Sequence, residues 1–246
     1  MLDLSSLHVS YGKAHVLRGL DMHVDRAEIV ALLGPNGCGK STTLKTVAGL
    51  VGAQTGAIAV DGTDITRTSI VDRVRRGITL IPQGRMVFKS MTVEENVRLG
   101  AHVRNDRDAI EQDLDFWLDF MPVLRERRKR SANELSGGEQ RMVSVARGMM
   151  SRPNLVLMDE PSLGVAPVVL LELSKLVRRI RDEMNMTVIL VEQDVPFALS
   201  VADRVCVLVG GRIALEGTPD ELSDGTRLKD AYFGRISAPS REDTVE

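Results

Sequence analysis

Short apolar runs recur along the chain at 28–33, 78–81, 155–158, 188–191 and 205–209, each bounded by Gly, Pro or charged residues. Runs of this length without polar alternation predict strands covered on both faces. Between them the apolar spacing changes to the helical period. Val169, Leu173, Leu176, Val177, Ile180 and Met184 form one stripe, with Arg178, Arg179 and Arg181 off it. Strands alternating with such helices predict a parallel sheet of the α/β class. Two stretches predict antiparallel hairpins instead: 57–60 and 63–65 around Asp61-Gly62, and 205–209 with 212–215 around Gly210-Gly211. The region from 84 to 152 reads as helix-rich. Thr92 with Glu95 three positions later predicts a capping box, and 108–120 predicts a further helix. The chain has no internal repeat, and 237–246 reads as a polar, frayed tail.

Composition narrows the classes. The 246 residues carry 32 Lys plus Arg against 34 Asp plus Glu, a formal net charge of −2. That balance excludes nucleic-acid binding through bulk positive charge, and 3% aromatic residues are too few for a run of base-stacking platforms. The longest uncharged stretch, between Lys45 and Asp61, is broken by Gly49, Gly52 and Gly56 and is too short and polar to span a bilayer. Asp3 stands where a secretory leader would want a basic flank. Cys38 and Cys206 have no metal-ligand spacing and make no disulfide framework. A cytoplasmic location is expected.

Three motifs carry chemistry. Gly34-Pro35-Asn36-Gly37-Cys38-Gly39-Lys40-Ser41 fits G-x-x-x-x-G-K-[ST] directly after an apolar run and before a helical stretch. The glycines let backbone N–H groups turn inward to cradle phosphates, Lys40 reaches the β- and γ-phosphates, and the Ser41 hydroxyl is a Mg²⁺ ligand. Leu155-Val156-Leu157-Met158-Asp159-Glu160 is an apolar run ending in two carboxylates. Asp159 can hold Mg²⁺, and Glu160 can polarise the water that attacks a γ-phosphate. Ser136-Gly137-Gly138-Glu139-Gln140 opens a helix through Met150 and forms a second anion nest. One chain thus holds two phosphate clamps but one Lys-bearing loop. The economical reading is that each nest completes a partner's site, with ATP sandwiched between two subunits.

In this order and spacing the motifs resemble those of the ATPase subunit of an ABC transporter, over about residues 2–233. The resemblance implies an α/β fold: a P-loop NTPase (RecA-like) core with an antiparallel β subdomain and an inserted helical subdomain. The core and β subdomain would comprise 1–83 and 153–236, the helical subdomain 84–152, and the tail 237–246. By the same resemblance Tyr11 stacks on adenine and the backbone through Thr42 holds the phosphates. Gln83, in Ile81-Pro82-Gln83, senses Mg²⁺ and the membrane partner, and Pro161-Ser162-Leu163-Gly164 crosses the dimer interface. The implied cofactors are ATP and Mg²⁺. The implied partners are transmembrane permease subunits, a second ATPase subunit (identical or a sister chain) and, indirectly, a solute-binding protein, with no nucleic acid.

One position departs from the family pattern. The family usually carries a His about thirty residues past the catalytic Glu, whereas here the sequence reads Val191-Glu192-Gln193-Asp194 and all four histidines precede Glu160. Gln193 can donate a hydrogen bond but cannot titrate, so Glu160 bears more of the catalysis. With 84–88, 91–96 and 162–167, this departure resembles one of the two ATPases of branched-chain amino acid importers. Urea or amide uptake, a non-transport ABC-type ATPase and a regulatory cassette are the alternatives. Lesser features are Cys38, whose place near a helix N-terminus predicts a lowered thiol pKa, and the basic run 125–130, read as a solvated helix end. Met142, Met149, Met150 and Met158 are read as core filling.

Overall fold

The alternation missing from the central runs is present at the N-terminus. In the computed structural model, which describes residues 1–232 apart from Arg85 and Asp224, β1 (Leu2–Tyr11) and β2 (Ala14–Val24) form a long antiparallel hairpin. Leu2, Leu4, Leu7 and Val9 are buried from one strand, and Leu17, Leu20, Met22 and Val24 from the other. The family resemblance implies an antiparallel β subdomain in this part of the chain, but the apolar pattern marks neither strand. The reason is a bulge: the register shifts between Leu4 and Leu7, and Ser6 takes φ 47. One extra residue there breaks the period of two on which strand recognition rests.

β1 also pairs with β4 (Thr55–Val60), which turns through Asp61 (φ 48) and Gly62 (φ 73) into β5 (Thr63–Asp64). Positive φ at both central positions is the hairpin turn expected of Asp-Gly. This first sheet has the order β2-β1-β4-β5.

The five apolar runs form the centre of a second sheet, with β3 (Ile29–Leu33), β6 (Ile78–Ile81), β7 (Leu155–Asp159), β8 (Thr187–Val191) and β9 (Arg204–Val209) mutually parallel. β10 (Arg212–Gly217) returns antiparallel to β9 through Gly210-Gly211, giving the order β10-β9-β3-β8-β7-β6. Alternate residues of these strands feed two cores. Val30, Leu32, Leu155, Leu157 and Ile189 face the first sheet and α1 (Lys40–Val47), with α2 (Ile70–Arg75) following on before β6. Ile29, Ala31, Leu33, Val156, Met158 and Leu190 face a layer of helices.

That helical layer starts with an insertion between β6 and β7: α3 (Val93–Arg98), α4 (Arg107–Phe120), α5 (Pro122–Glu126) and α6 (Gly137–Met149). Thr92 and Glu95 cap α3 reciprocally, as their spacing predicts. It continues with α7 (Pro167–Met184), which buries Leu173, Leu176, Val177 and Ile180, and with α8 (Val195–Val201). Arg179 of α7 lies over the Phe120 ring at 3.8 Å, joining the insertion to the core. α9 (Pro219–Leu222) and α10 (Thr226–Tyr232) close the described chain. Met149, Met150 and Met158 are fully buried. The tail expected at 237–246 lies outside the described residues.

The basic run is paired rather than simply solvated. Arg125 bonds Asp115 and Asp119, Arg128 bonds Glu94 and Asp115, and Lys129 bonds Glu94. These acids lie on α3 and α4, so the run staples the insertion together from outside.

Candidate active site

Parallel strands deliver their loops to one edge, and here the carboxyl ends of β3, β6, β7 and β8 carry all the singled-out core residues. After β3 the chain turns through Gly34–Gly39 into α1. At Gly34 (φ 151) an added Cβ would lie 2.2 Å from the Leu208 carbonyl oxygen, and Gly39 (φ 115) caps α1 in the left-handed region. Both positions therefore require glycine. Lys40 is 5% exposed, and its ammonium donates to the Gly34 and Pro35 carbonyls at 2.7 and 3.2 Å. Val16 and Leu17 of β2 pack against Gly39, so the first hairpin flanks this loop, with Tyr11 exposed at its tip.

The Ser41 hydroxyl donates to Asp159 Oδ1 at 2.7 Å, across 118 residues of chain. Asp159 is buried, and burial pushes its carboxyl up, with the Ser41 bond working in the opposite direction. These are hard oxygen donors suited to Mg²⁺. Among the described residues no group of three or more His, Cys, Asp or Glu could hold a metal. A cation here would complete its shell from phosphate and water, as Mg²⁺ does at nucleotide sites.

Glu160 follows β7 with φ 46, a left-handed conformation that costs a non-glycine residue about 1–3 kcal/mol. Its N–H bonds the Val191 carbonyl at the end of β8. Both carboxylate oxygens accept amide N–H bonds, one from Gln83 at 2.6 Å and the other from Gln193 at 2.5 Å. The structure thus brings three of the sequence candidates together. It also places Gln193, and the amide nitrogen of Gln83, on the carboxylate itself.

Ser136 caps α6, with its Oγ accepting from the Glu139 N–H and the Glu139 carboxylate accepting from the Ser136 N–H. Gly138 abuts Val169 at the start of α7, where an added Cβ would meet a side-chain carbon at 2.5 Å. α6 belongs to the helical core and α1 to the opposite one, so the two anion nests lie on helices at opposite faces of the sheet.

At this site two buried charges, Arg141 and Glu192, have roles that the sequence motifs do not assign. Arg141 is 3% exposed and donates to the carbonyls of Pro82, Gly84, Asp159, Glu160 and Pro161. Burial pulls its pKa down against the attraction of Glu192 and Asp159. Glu192 is 1% exposed and holds both the N–H and hydroxyl of Ser162, at 2.8 and 2.6 Å. A charged side chain in the apolar stripe of α6 and an acid ending an apolar run were the available signals.

Cys38 corrects an expectation. It is 7% exposed, and burial pushes its thiol up, outweighing the attraction of Lys40 that works the other way. The thiolate fraction at a given pH is therefore below that of a free cysteine. Alkylation of the folded protein at pH 7.5 is expected to be at least about tenfold slower than for a model thiol. It should recover in denaturant, and labelling at the free-thiol rate would contradict the burial.

The model of the ABC transporter family matches residues 17–163, more than half of the chain and both core motifs. The chain belongs to the ABC transporter family. It is 39% identical to the high-affinity branched-chain amino acid transport ATP-binding protein BraG of Pseudomonas aeruginosa, over 95% of this chain and 100% of that one. It is 32% identical to the lipopolysaccharide export system ATP-binding protein LptB of Escherichia coli, over 95% and 97% of the two chains. A nucleotide-free ATP-binding cassette from an ABC transporter superposes with a TM-score of 0.85 at 25% identity, covering 94% of this chain and 98% of that one. The protein is accordingly an ATP-binding, ATP-hydrolysing ABC subunit. No helix among the described residues is long and apolar enough to cross a membrane.

Proposed function

We propose that this ABC ATPase powers the import of branched-chain amino acids, working as one of two cassettes on the cytoplasmic face of a transmembrane permease. The observation that carries the chemistry is the carboxylate of Glu160, held by Gln83 and Gln193 beside the Ser41–Asp159 pair. The solute rests on the likeness to BraG over nearly the whole of both chains.

On this reading Tyr11 stacks on adenine, and the backbone N–H groups from Gly34 to Thr42 bind the phosphates. Phosphate oxygens compete with the Gly34 and Pro35 carbonyls for the Lys40 ammonium. Ser41 and Asp159, with the Gln83 amide oxygen, would hold Mg²⁺, which when bound neutralises charge on the β- and γ-phosphates. Glu160 accepts the proton of the attacking water as its oxygen bonds to the γ-phosphorus and the bond to ADP breaks. Gln193 orients Glu160 through its amide. Ser136, Gly137 and Gly138 act on the nucleotide of the other subunit, a division of labour supported by the placement of the two nests on opposite sheet faces. The exposed apolar side chains Leu163, Val168 and Leu171 support a face that another subunit covers.

A groove of about 780 Å³ runs beside Pro82 and is bordered by the exposed apolar side chains of Leu50, Ile70, Met86 and Phe88. We read it as the permease seat, next to the segment that carries Gln83. Phe88→Glu is expected to reduce leucine uptake by cells at least about tenfold, through loss of docking, with ATPase of the purified subunit within about twofold. Uptake unchanged in this variant would move the seat elsewhere. A chromosomal deletion that leaves uptake of leucine, isoleucine and valine intact would overturn the solute assignment.

A further inference from the structure

Glu139 places a conflict inside the second anion nest. Its carboxylate takes up the Ser136 N–H at 2.7 Å, one of the donors that open α6, and it adds negative charge where a γ-phosphate is to be received. Burial pushes this carboxyl up, but the Ser136 N–H and hydroxyl and the Arg127 guanidinium outweigh it and hold it below the usual range. Glu139 is therefore ionised at neutral pH, and without compensation it would repel the anion the nest is shaped for.

Compensation comes from the basic run that begins in the last turn of α5. Its neighbours Arg125, Arg128 and Lys129 are directed at Asp115, Asp119 and Glu94 on α3 and α4. Arg127 turns the other way, with its Nε 3.5 Å from Glu139 Oε1. The Glu139 side chain is 19% exposed and that of Arg127 38%, so the pair sits at the rim of the nest with one partner largely covered.

We propose that Arg127 is a positioning residue for the ATP-bound dimer: it neutralises Glu139 and draws its charge to the rim, so that Ser136, Gly137 and Gly138 attract the phosphate of the opposing subunit. This rests on the two-subunit reading above. The basic run thereby acquires two functions, with its outer members bracing the helical insertion and Arg127 tuning the nest. A half-exposed pair changes an equilibrium by roughly two- to fivefold. Closure of a symmetric dimer uses two nests, so the factor applies twice.

The test is the MgATP-dependent dimerisation of two copies of the full chain, measured by sedimentation velocity in a Glu160→Gln background that preserves bound ATP. Arg127→Ala is expected to weaken the dimer roughly five- to twentyfold at low salt, with the difference shrinking at 0.5 M salt. Arg127→Lys should stay within about threefold of the parent, because it keeps the charge. Adding Glu139→Gln to Arg127→Ala should restore the dimer to within about twofold, since Gln also completes a capping box but carries no charge. An unchanged dimer in Arg127→Ala, or no rescue by Glu139→Gln, overturns the proposal. Absence of any MgATP-dependent dimer in the Glu160→Gln parent is a different result, and it overturns the two-subunit reading itself.

Discussion

Glu160→Gln is expected to lower steady-state ATP turnover by ~10²–10⁴-fold, the range for loss of a general base, while ATP affinity changes little. The carboxylate is poised in the strained φ 46 turn after β7 and is held from both sides by amides, so its two oxygens are aimed rather than free to rotate. Gln is nearly isosteric and loses proton-accepting capacity. It also presents an NH₂ group to one of the two amide donors, so one bracket must rotate. Nucleotide binding draws on Lys40 and the phosphate loop, which this change does not touch. A fluorescent-nucleotide titration beside a phosphate-release assay separates the two effects. Turnover within a few-fold of the parent would remove Glu160 from the catalytic role.

Arg141→Met is expected to lower both stability and turnover. The guanidinium bonds five carbonyls drawn from three segments: Pro82 and Gly84 before the helical insertion, Asp159 and Glu160 at the end of β7, and Pro161 beyond it. Met fills comparable space but leaves these buried acceptors without donors, and hydrogen bonds to a charged group contribute about 1.5–3 kcal/mol each. Even with partial relaxation the loss should reach at least ~3 kcal/mol. For a chain of this size that lowers the melting temperature by roughly 6–12 °C. Arg141→Lys should recover part of the stability, because an ammonium reaches fewer carbonyls. Since the same bonds set where Gln83 and Glu160 stand, the folded fraction of either variant should also turn over more slowly per bound ATP. Calorimetry and kinetics on one preparation test both statements. A melting temperature within 2 °C of the parent would show that the carbonyl cluster tolerates an empty centre.

The phosphate loop, the paired carboxylates, the capped nest and the five core strands are legible in the sequence, because each depends on neighbours within a few residues. β1 and β2 are not legible from the apolar pattern, since a bulge at Ser5-Ser6 breaks an alternation that is otherwise present. The place of Cys38 near a helix start points to a lowered pKa, whereas burial in a core shared with Leu17 and Leu208 decides the matter in the other direction. Arg141 and Glu192 stood in plain view as charges in apolar settings, but nothing local identifies the carbonyls and hydroxyl they hold.

What the sequence determined by itself is the chemistry available. A backbone cradle for phosphate must be contiguous, since successive N–H groups form it, and Gly34 to Ser41 is legible for that reason. What the tertiary structure alone decided is the convergence on Glu160. Gln83 lies 77 residues before it and Gln193 lies 33 after it. They meet because β7 is seated between β6 and β8, so that three parallel strands end side by side. Each of those strands is a short, almost uniformly apolar run. Such runs announce burial on both faces but carry no mark of which neighbour they take, and strand order is settled by the packing of the whole sheet.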